Sequence, residues 1–241
     1  MKAFYDLHIH SCLSPCASND MTPNNIVNMA LLNGMDIIAL TDHNSCKNCR
    51  ATLEVGQKNG LVVIPGMELC TSEEIHVVCL FPNLEQAESF SDYVYSQLIK
   101  VKNKPEIFGE QIIMDKNDDK IGEIDNLLLL ATKISIESVN ELVKNYGGVS
   151  FPAHIDRDSY SILSSLGTIP KSCGFNCAEV SKQANINLLK QNNPILNKIN
   201  IVQDSDAHYL ENMPYKSTFI ELNNINIKHV LNYINLPYYY G

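Results

Sequence analysis

Histidine occurs in this chain almost only at the ends of short apolar runs. Five of the seven histidines sit in four short motifs, Asp6-Leu7-His8-Ile9-His10, Thr41-Asp42-His43-Asn44, Ala153-His154 and Asp204-Ser205-Asp206-Ala207-His208; a sixth, His76, lies between them. Most of the motifs follow a β-branched apolar stretch of strand length. Core histidines scattered at random have no reason to favour strand ends or to arrive beside carboxylates. Imidazole is the commonest metal ligand among side chains, so the pattern points to strands whose ends meet around a hydrolytic metal site.

The spacing of the apolar runs predicts alternating strands and helices. Ala3 to His10 reads as a strand. A helix follows from Pro23 to Asn33, with Thr22 as N-cap, Pro23 at its first position and Gly34 past its end. Strands are expected over 36–40, 61–64, 75–81, 149–151, 177–180, 199–204 and 218–222, with a helix from about Cys46 to Lys58. Such alternation implies a parallel sheet, and 241 residues favour a closed α/β barrel, treated as a single domain over 1–241. In barrels of this kind functional residues lie at the C-terminal strand ends. The rhythm breaks between 85 and 147, which reads as an insertion, mainly helical, forming a cap on the active face.

Within the motifs, His8 and His10 are two apart on a strand and share a face. Asp206 and His208 repeat that geometry. Asp42-His43 ends a second strand, Glu68 follows Pro65-Gly66 after a buried run, and Ala153-His154 ends another. Mixed histidine and carboxylate ligands suit zinc, iron or manganese. The number of ligands exceeds the need of one tetrahedral ion, so two or three are expected. Arg157 is placed to grip a phosphate bidentately, against the alternative of a surface ion pair with Asp156 or Asp158. Lys182, after the strand ending Ala178-Glu179-Val180, is a second phosphate candidate. Asp42 and Asp204 are expected to orient ligand imidazoles.

The order His-x-His, Thr-Asp-His, Pro-Gly-x-Glu, a lone His, Ala-His and Asp-x-His resembles the PHP (polymerase and histidinol phosphatase) family over nearly the whole chain. The resemblance implies a distorted seven-stranded (β/α) barrel with a trinuclear site. By motif, His8, His10, Glu68 and Asp206 would hold one ion. Glu68 would bridge to a second, held also by His76 and His154. His43 and His208 would hold the third. The family supplies a further Asp or His a few residues after His-x-His. Here the loop is longer, Ser11 to Asp20, and offers Asp20 first and Cys16 second. The implied activity is that of a metal-dependent phosphoesterase, cleaving a phosphate ester of a small metabolite or nucleotide with a metal-bridging hydroxide, with Glu68, Asp206 and Arg157 central to the chemistry.

Three rival readings come from the same residues. Amidohydrolase-type enzymes also use His-x-His in a barrel, but without Pro-Gly-x-Glu or an x-His after the last Asp. A non-catalytic accessory PHP module would have lost ligands, and nearly all are present here. The eight cysteines raise a redox or Fe–S reading. Cys12, Cys16, Cys46 and Cys49 follow the first two metal motifs and offer an extra zinc or Fe–S site. The net charge of −9 and the lack of a Lys/Arg cluster argue against long nucleic acids as partners. The first strand begins too early to leave room for a signal peptide, and no apolar run is long enough for a membrane span. A cytoplasmic location is therefore expected.

Overall fold

The computed structural model of the protein describes residues 1–216 and 218–236. Its elements follow in the order β1 (Lys2–Ile9), α1 (Pro23–Leu32), β2 (Ile37–Leu40), α2 (Cys49–Asn59), β3 (Val62–Cys70), β4 (His76–Leu80), α3 (Leu84–Gln97), α4 (Pro105–Phe108), β5 (Ile112–Met114), β6 (Lys120–Glu123), α5 (Ile136–Asn145), β7 (Val149–Pro152), α6 (Ile162–Leu166), β8 (Cys177–Val180), α7 (Ile186–Asn192), β9 (Asn200–Gln203), β10 (Phe219–Glu221) and α8 (Ile227–Asn235). A six-stranded sheet runs in the order β10-β1-β2-β3-β4-β7, and β8 and β9 form a separate parallel pair. That pair joins the sheet's strands on both sides. The Ile155 N–H bonds Glu179 O at 2.9 Å, and the His10 N–H bonds Ala207 O at 3.0 Å. The result is a distorted α/β barrel.

Strand alternation divides the apolar residues into two layers. Leu7, Ile37, Ala39, Ile64, Val78, Phe151, Cys177 and Val202 make one cluster with Val230, Leu231 and Ile234 of α8. Nearly every strand of the barrel contributes to it, so it is the barrel interior, stoppered at one end by α8. The opposite faces, among them Ile9, Ile38, Leu40, Val63, Met67 and Leu69, pack against the helices. Burying one such Leu, Ile or Phe side chain contributes about 1.5–3 kcal/mol.

One expectation of a uniformly parallel sheet is corrected. β1, β2 and β3 are parallel, but β4 runs antiparallel to β3, with Cys70 paired to His76. Only five residues separate β3 from β4, too few for a crossover, which needs a dozen or more. β4 therefore starts at the end where its parallel neighbours finish. This reversal puts His76, first in its strand, beside groups that are last in theirs.

The segment 85–147 divides into parts. Helices α3 and α5 belong to the barrel wall: Phe90, Val94, Val139 and Val143 are fully buried in the outer core. Between them, residues 98–134 hold the short α4 and a β5–β6 hairpin where a mainly helical cap was expected. This part is tied to the loop after β1, since the Ile112 N–H bonds Cys12 O at 3.0 Å, and Leu13, Leu98 and Leu128 form a small core of their own. Within 126–145 only α5 is helical.

Among the described residues, no helix is long and apolar enough to cross a membrane.

Candidate metal centre

Each strand's interior face changes from apolar to ligand-type as it nears the same end of the barrel. On β2 the series Ile37, Ala39 leads to His43. On β3 Ile64 leads to Glu68. On β8 Cys177 leads to Glu179, and beyond β9 Val202 leads to Asp204 and Asp206. Two positions break the alternation. The pairing of β1 with β2 shifts register between Asp6 and Ile9, so Leu7 and then His8 and His10 all turn inward, the re-aiming that a bulge provides. His154 follows inward-facing Ala153, and its φ is +29°; Asp206 likewise has φ +52°. Such backbone is unfavourable for residues with a Cβ, and strain of this kind collects at functional sites.

Glu68 is the hub. Its Oε1 lies 2.8 Å from His76 Nδ1, 3.1 Å from His154 Nε2 and 3.3 Å from His8 Nε2; its Oε2 lies 3.0 Å from His43 Nδ1 and 3.4 Å from His10 Nε2. Asp206 Oδ1 lies opposite, 3.1 Å from His10 Nε2 and 3.3 Å from His8 Nε2. Among the described residues, three groups have ligand atoms close enough to share an ion: His8 with His10, Glu68 and Asp206; His43 with Glu68 and His76; and His10 with His43 and His208. His154 approaches the second of these through Glu68.

Supporting contacts hold the imidazoles. His8 Nδ1 meets Glu179 Oε2 at 2.7 Å. His10 Nδ1 meets Ser14 Oγ at 2.9 Å, and Ser14 Oγ donates to Asp42 Oδ1 at 2.7 Å. Asp42 thus acts on His10 through Ser14. Asp204 reaches no imidazole; its Oδ1 accepts from the Leu7 N–H at 2.6 Å, and burial next to Glu179 and Asp6 pushes its carboxyl well up. Glu179 carries the role expected of Asp204. It was unmarked in the sequence because its only signal is a charge two residues after inward-facing Cys177.

The imidazoles and carboxylates of the cluster shift one another strongly. Burial pushes the His10 imidazole down, but Asp206 and Glu68 outweigh it and hold it at about 9. Burial opposes His43 as well, and Glu68 holds it at about 9. Glu68 lies well below the carboxylate range despite its burial, because His76, His8 and His43 surround it. His208, with burial and the neighbouring His10 against its cation, falls to about 3. Four buried atoms of the cluster have no hydrogen-bond partner: His43 Nδ1, His154 Nδ1, Glu68 Oε2 and Asp206 Oδ1. Unpartnered buried polar atoms are costly. A nitrogen and oxygen donor set of this kind fits divalent zinc, iron or manganese.

A cavity of about 120 Å³ opens onto the cluster, lined by Glu68, His76 and Asp206 and, at its mouth, by Arg157, Ser159 and Tyr160. Arg157 Nη1 donates to Asp206 Oδ2 at 2.5 Å, in place of a surface ion pair with Asp156, whose carboxylate accepts from Ser181, or with Asp158. Tyr160 stacks on His76 with ring centroids 4.6 Å apart. Neither Ser159 nor Tyr160 carried a sequence signal.

Other expected residues lie elsewhere. Asp20 is exposed and belongs to none of the ligand groups. Lys182 is exposed after β8 and does not line the cavity. The cysteines do not converge. Cys46 and Cys49 Sγ approach Gly66 O at 3.1 and 3.4 Å, Cys12 is buried against Ile112 O, and Cys16 alone is exposed. Among the described residues no cysteine belongs to a group with metal-site geometry.

The chain belongs to the PHP domain family, whose profile matches residues 6–224. It is 27% identical over 166 residues to an uncharacterized protein of Methanocaldococcus jannaschii, a match covering 68% of this chain and 18% of that protein. The fold is similar to that of the lesion-specific endonuclease EndoQ from Pyrococcus furiosus, with a TM-score of 0.70 and 19% identity over 98% of this chain and 56% of the endonuclease. It is similar also to a protein of Bifidobacterium adolescentis assigned as a metal-dependent phosphoesterase, with a TM-score of 0.59, 16% identity and 96% of each chain covered. The chain thus spans about a fifth of the length of the M. jannaschii relative and little more than half of the endonuclease.

Proposed function

We propose that this chain is a metal-dependent phosphoesterase that uses two or three divalent transition-metal ions to hydrolyse a phosphate ester of a small metabolite or nucleotide. The observation that carries this reading is Glu68, a buried carboxylate with five histidine nitrogens within 3.4 Å. Divalent cations at such a site supply an activated water and neutralise charge on phosphoryl oxygens.

The chain's own residues do the rest. Glu68, held between the two histidine sets, fixes the spacing of whatever they bind. Glu179 and the Ser14–Asp42 pair keep His8 and His10 in the tautomer that presents Nε2. The cavity admits a group of phosphoryl size, and the remainder of a substrate lies outside it, past Tyr160. Arg157, at the mouth, brings a planar fork of donors suited to phosphate oxygens. It also holds Asp206 in place.

The acidity of the chain favours small substrates, yet it does not by itself exclude long nucleic acids, since a second EndoQ structure of the same fold holds a 27-mer duplex with an abasic lesion at its active site. The test is a panel assay of the metal-replete protein on phosphomonoesters, phosphodiesters, lesion-bearing oligonucleotides and amides. Hydrolysis of a phosphate ester, abolished in a folded Glu68→Ala variant, is the expected result. Amide hydrolysis alone would favour the amidohydrolase reading. Full metal occupancy with no turnover on any substrate would favour an accessory module.

A further inference from the structure

The cavity over the metal centre is too small to take a whole substrate. It holds about 120 Å³, well short of the roughly 300–1,000 Å³ that encloses a small-molecule ligand. A phosphoryl group enters, and whatever carries it rests on the rim. The loop after β7 gives Arg157, Ser159 and Tyr160 to that rim, and it is pinned along its length. The Arg157 N–H bonds His154 O at 3.0 Å, Ser161 Oγ donates to Arg157 O at 2.7 Å, and the His76 N–H bonds Tyr160 O at 2.9 Å. Asp156 accepts from the Ser181 N–H at 2.8 Å.

Tyr160 is poorly placed for a packing residue. Its φ is +53°, a left-handed backbone that is an outlier for a bulky side chain. The residue is 46% exposed. Among the described residues its hydroxyl has no hydrogen-bond partner, whereas a tyrosine that serves a core buries its ring and bonds its hydroxyl. One ring face lies on His76, with centroids 4.6 Å apart and planes 25° from parallel. No second ring covers the other face among the described residues. Strained conformations persist where their surroundings over-determine them, and they collect at ligand clamps. Here the pinned loop holds a flat aromatic face, already oriented, beside the Arg157 guanidinium at the entrance to the metal centre. A ring fixed beforehand loses little freedom when a planar partner settles on it.

We propose that Tyr160 is a specificity-determining residue, whose outer ring face stacks the base of a nucleotide while the phosphate sits at the metal centre. This rests on the phosphoesterase reading above and narrows it, since the phosphate ester of a plain sugar or acyclic alcohol would leave that face bare. Stacking of this kind accepts any base, because every base has a π-face.

The test is isothermal titration calorimetry of the metal-loaded protein with two uncleavable ligands, the methylenephosphonate analogues of adenosine 5′-monophosphate and of ribose 5-phosphate, which differ only in the base. Wild type should bind the nucleoside ligand roughly ten- to a hundredfold more tightly. Tyr160→Ala should bring that ratio near one with the ribose ligand unaffected, and Tyr160→Phe should keep it. Metal content and circular dichroism should match in all three proteins. A wild-type ratio near one, a ratio that survives in Tyr160→Ala, or an equal loss for both ligands there overturns the proposal and leaves the phosphoesterase reading standing. A ratio lost in Tyr160→Phe assigns the discrimination to the hydroxyl and overturns stacking. If neither phosphonate binds, the phosphoesterase reading falls and the proposal with it.

Discussion

One oxygen of Glu179 meets His8 Nδ1 at 2.7 Å, while the other accepts from the His154 backbone N–H at 3.3 Å. A single buried carboxylate on β8 therefore positions two members of the cluster. Glu179→Gln keeps the size but loses the charge that fixes the His8 tautomer. Loss of such a supporting group lowers metal affinity about 10–100-fold. Competitive chelator titration should show that drop with unchanged far-ultraviolet dichroism; unchanged affinity would mean that His8 needs no such support.

Arg157 offers a second test. If its fork grips substrate phosphate, Arg157→Lys loses charge-assisted hydrogen bonds worth about 1.5–3 kcal/mol, which is roughly ten- to a hundred-fold in kcat/KM. Because Arg157 also bonds Asp206, Arg157→Ala should in addition weaken metal binding slightly. Steady-state kinetics on metal-saturated enzyme separate the two effects. Equal kcat/KM in wild type and Arg157→Lys would remove Arg157 from the substrate.

The pH dependence of stability should differ between stripped and metal-loaded protein. His10 and His43 hold protons up to about 9, against about 6.5 in an unfolded chain. The folded stripped protein binds more protons across that window, so this contribution is full below about 6.5 and is lost as pH rises through about 9. His208, lowered to about 3, acts oppositely on the acid side, where its contribution falls away as pH drops from about 6.5 towards 3. Metal binding needs neutral imidazoles and releases these protons. The gap in Tm between loaded and stripped protein should widen from pH 6.5 to 9. A gap that narrows over that range would contradict the charge arrangement described here.

Gly109 is tested by stability. Its φ of +98° and its contact with Pro15 O leave no place for a side chain. Gly109→Ala should cost about 1–3 kcal/mol and loosen the loop between β1 and α1. Urea melts of wild type and variant measure the cost. Gly60→Ala, also at positive φ but with open space around its Cβ position, provides the strain-only comparison.

The sequence reading went furthest where strand periodicity did the work. Two-residue spacing carried His8, His10, Asp206 and His208 to one end of a barrel, and Thr22 caps α1 through its contact with the Asn25 N–H as the pattern implied. It failed where direction or conformation departs from regular rules. The β3–β4 reversal depends on a connection too short for a helix, a cue present at 71–75 but overridden by the surrounding rhythm. Asp20 lay at a plausible distance along the chain, but the loop leaves it exposed beside α1, where its carbonyl accepts from Asn25 Nδ2. The β5–β6 hairpin pairs a three-residue apolar strand with a mostly polar one across a polar turn, too short and too weakly alternating to stand out from loop. Glu179 was hidden because one charge in a short buried strand carries no partner in the sequence; only β8 lying beside β1 through β9 gives it one.

The cluster draws on both ends of the chain, for the Leu7 N–H already bonds Asp204, 197 residues away. An ion shared by His8, His10 and Asp206 would close a loop of almost the entire polypeptide. The entropy removed from an unfolded chain by such a closure grows with the logarithm of loop length, so this cross-link sits where a single tether is most effective. Loading would then act as a clasp on the whole barrel, and a nick in the exposed stretch around 115–123 would leave two fragments fastened at the site as well as through their shared sheet and core.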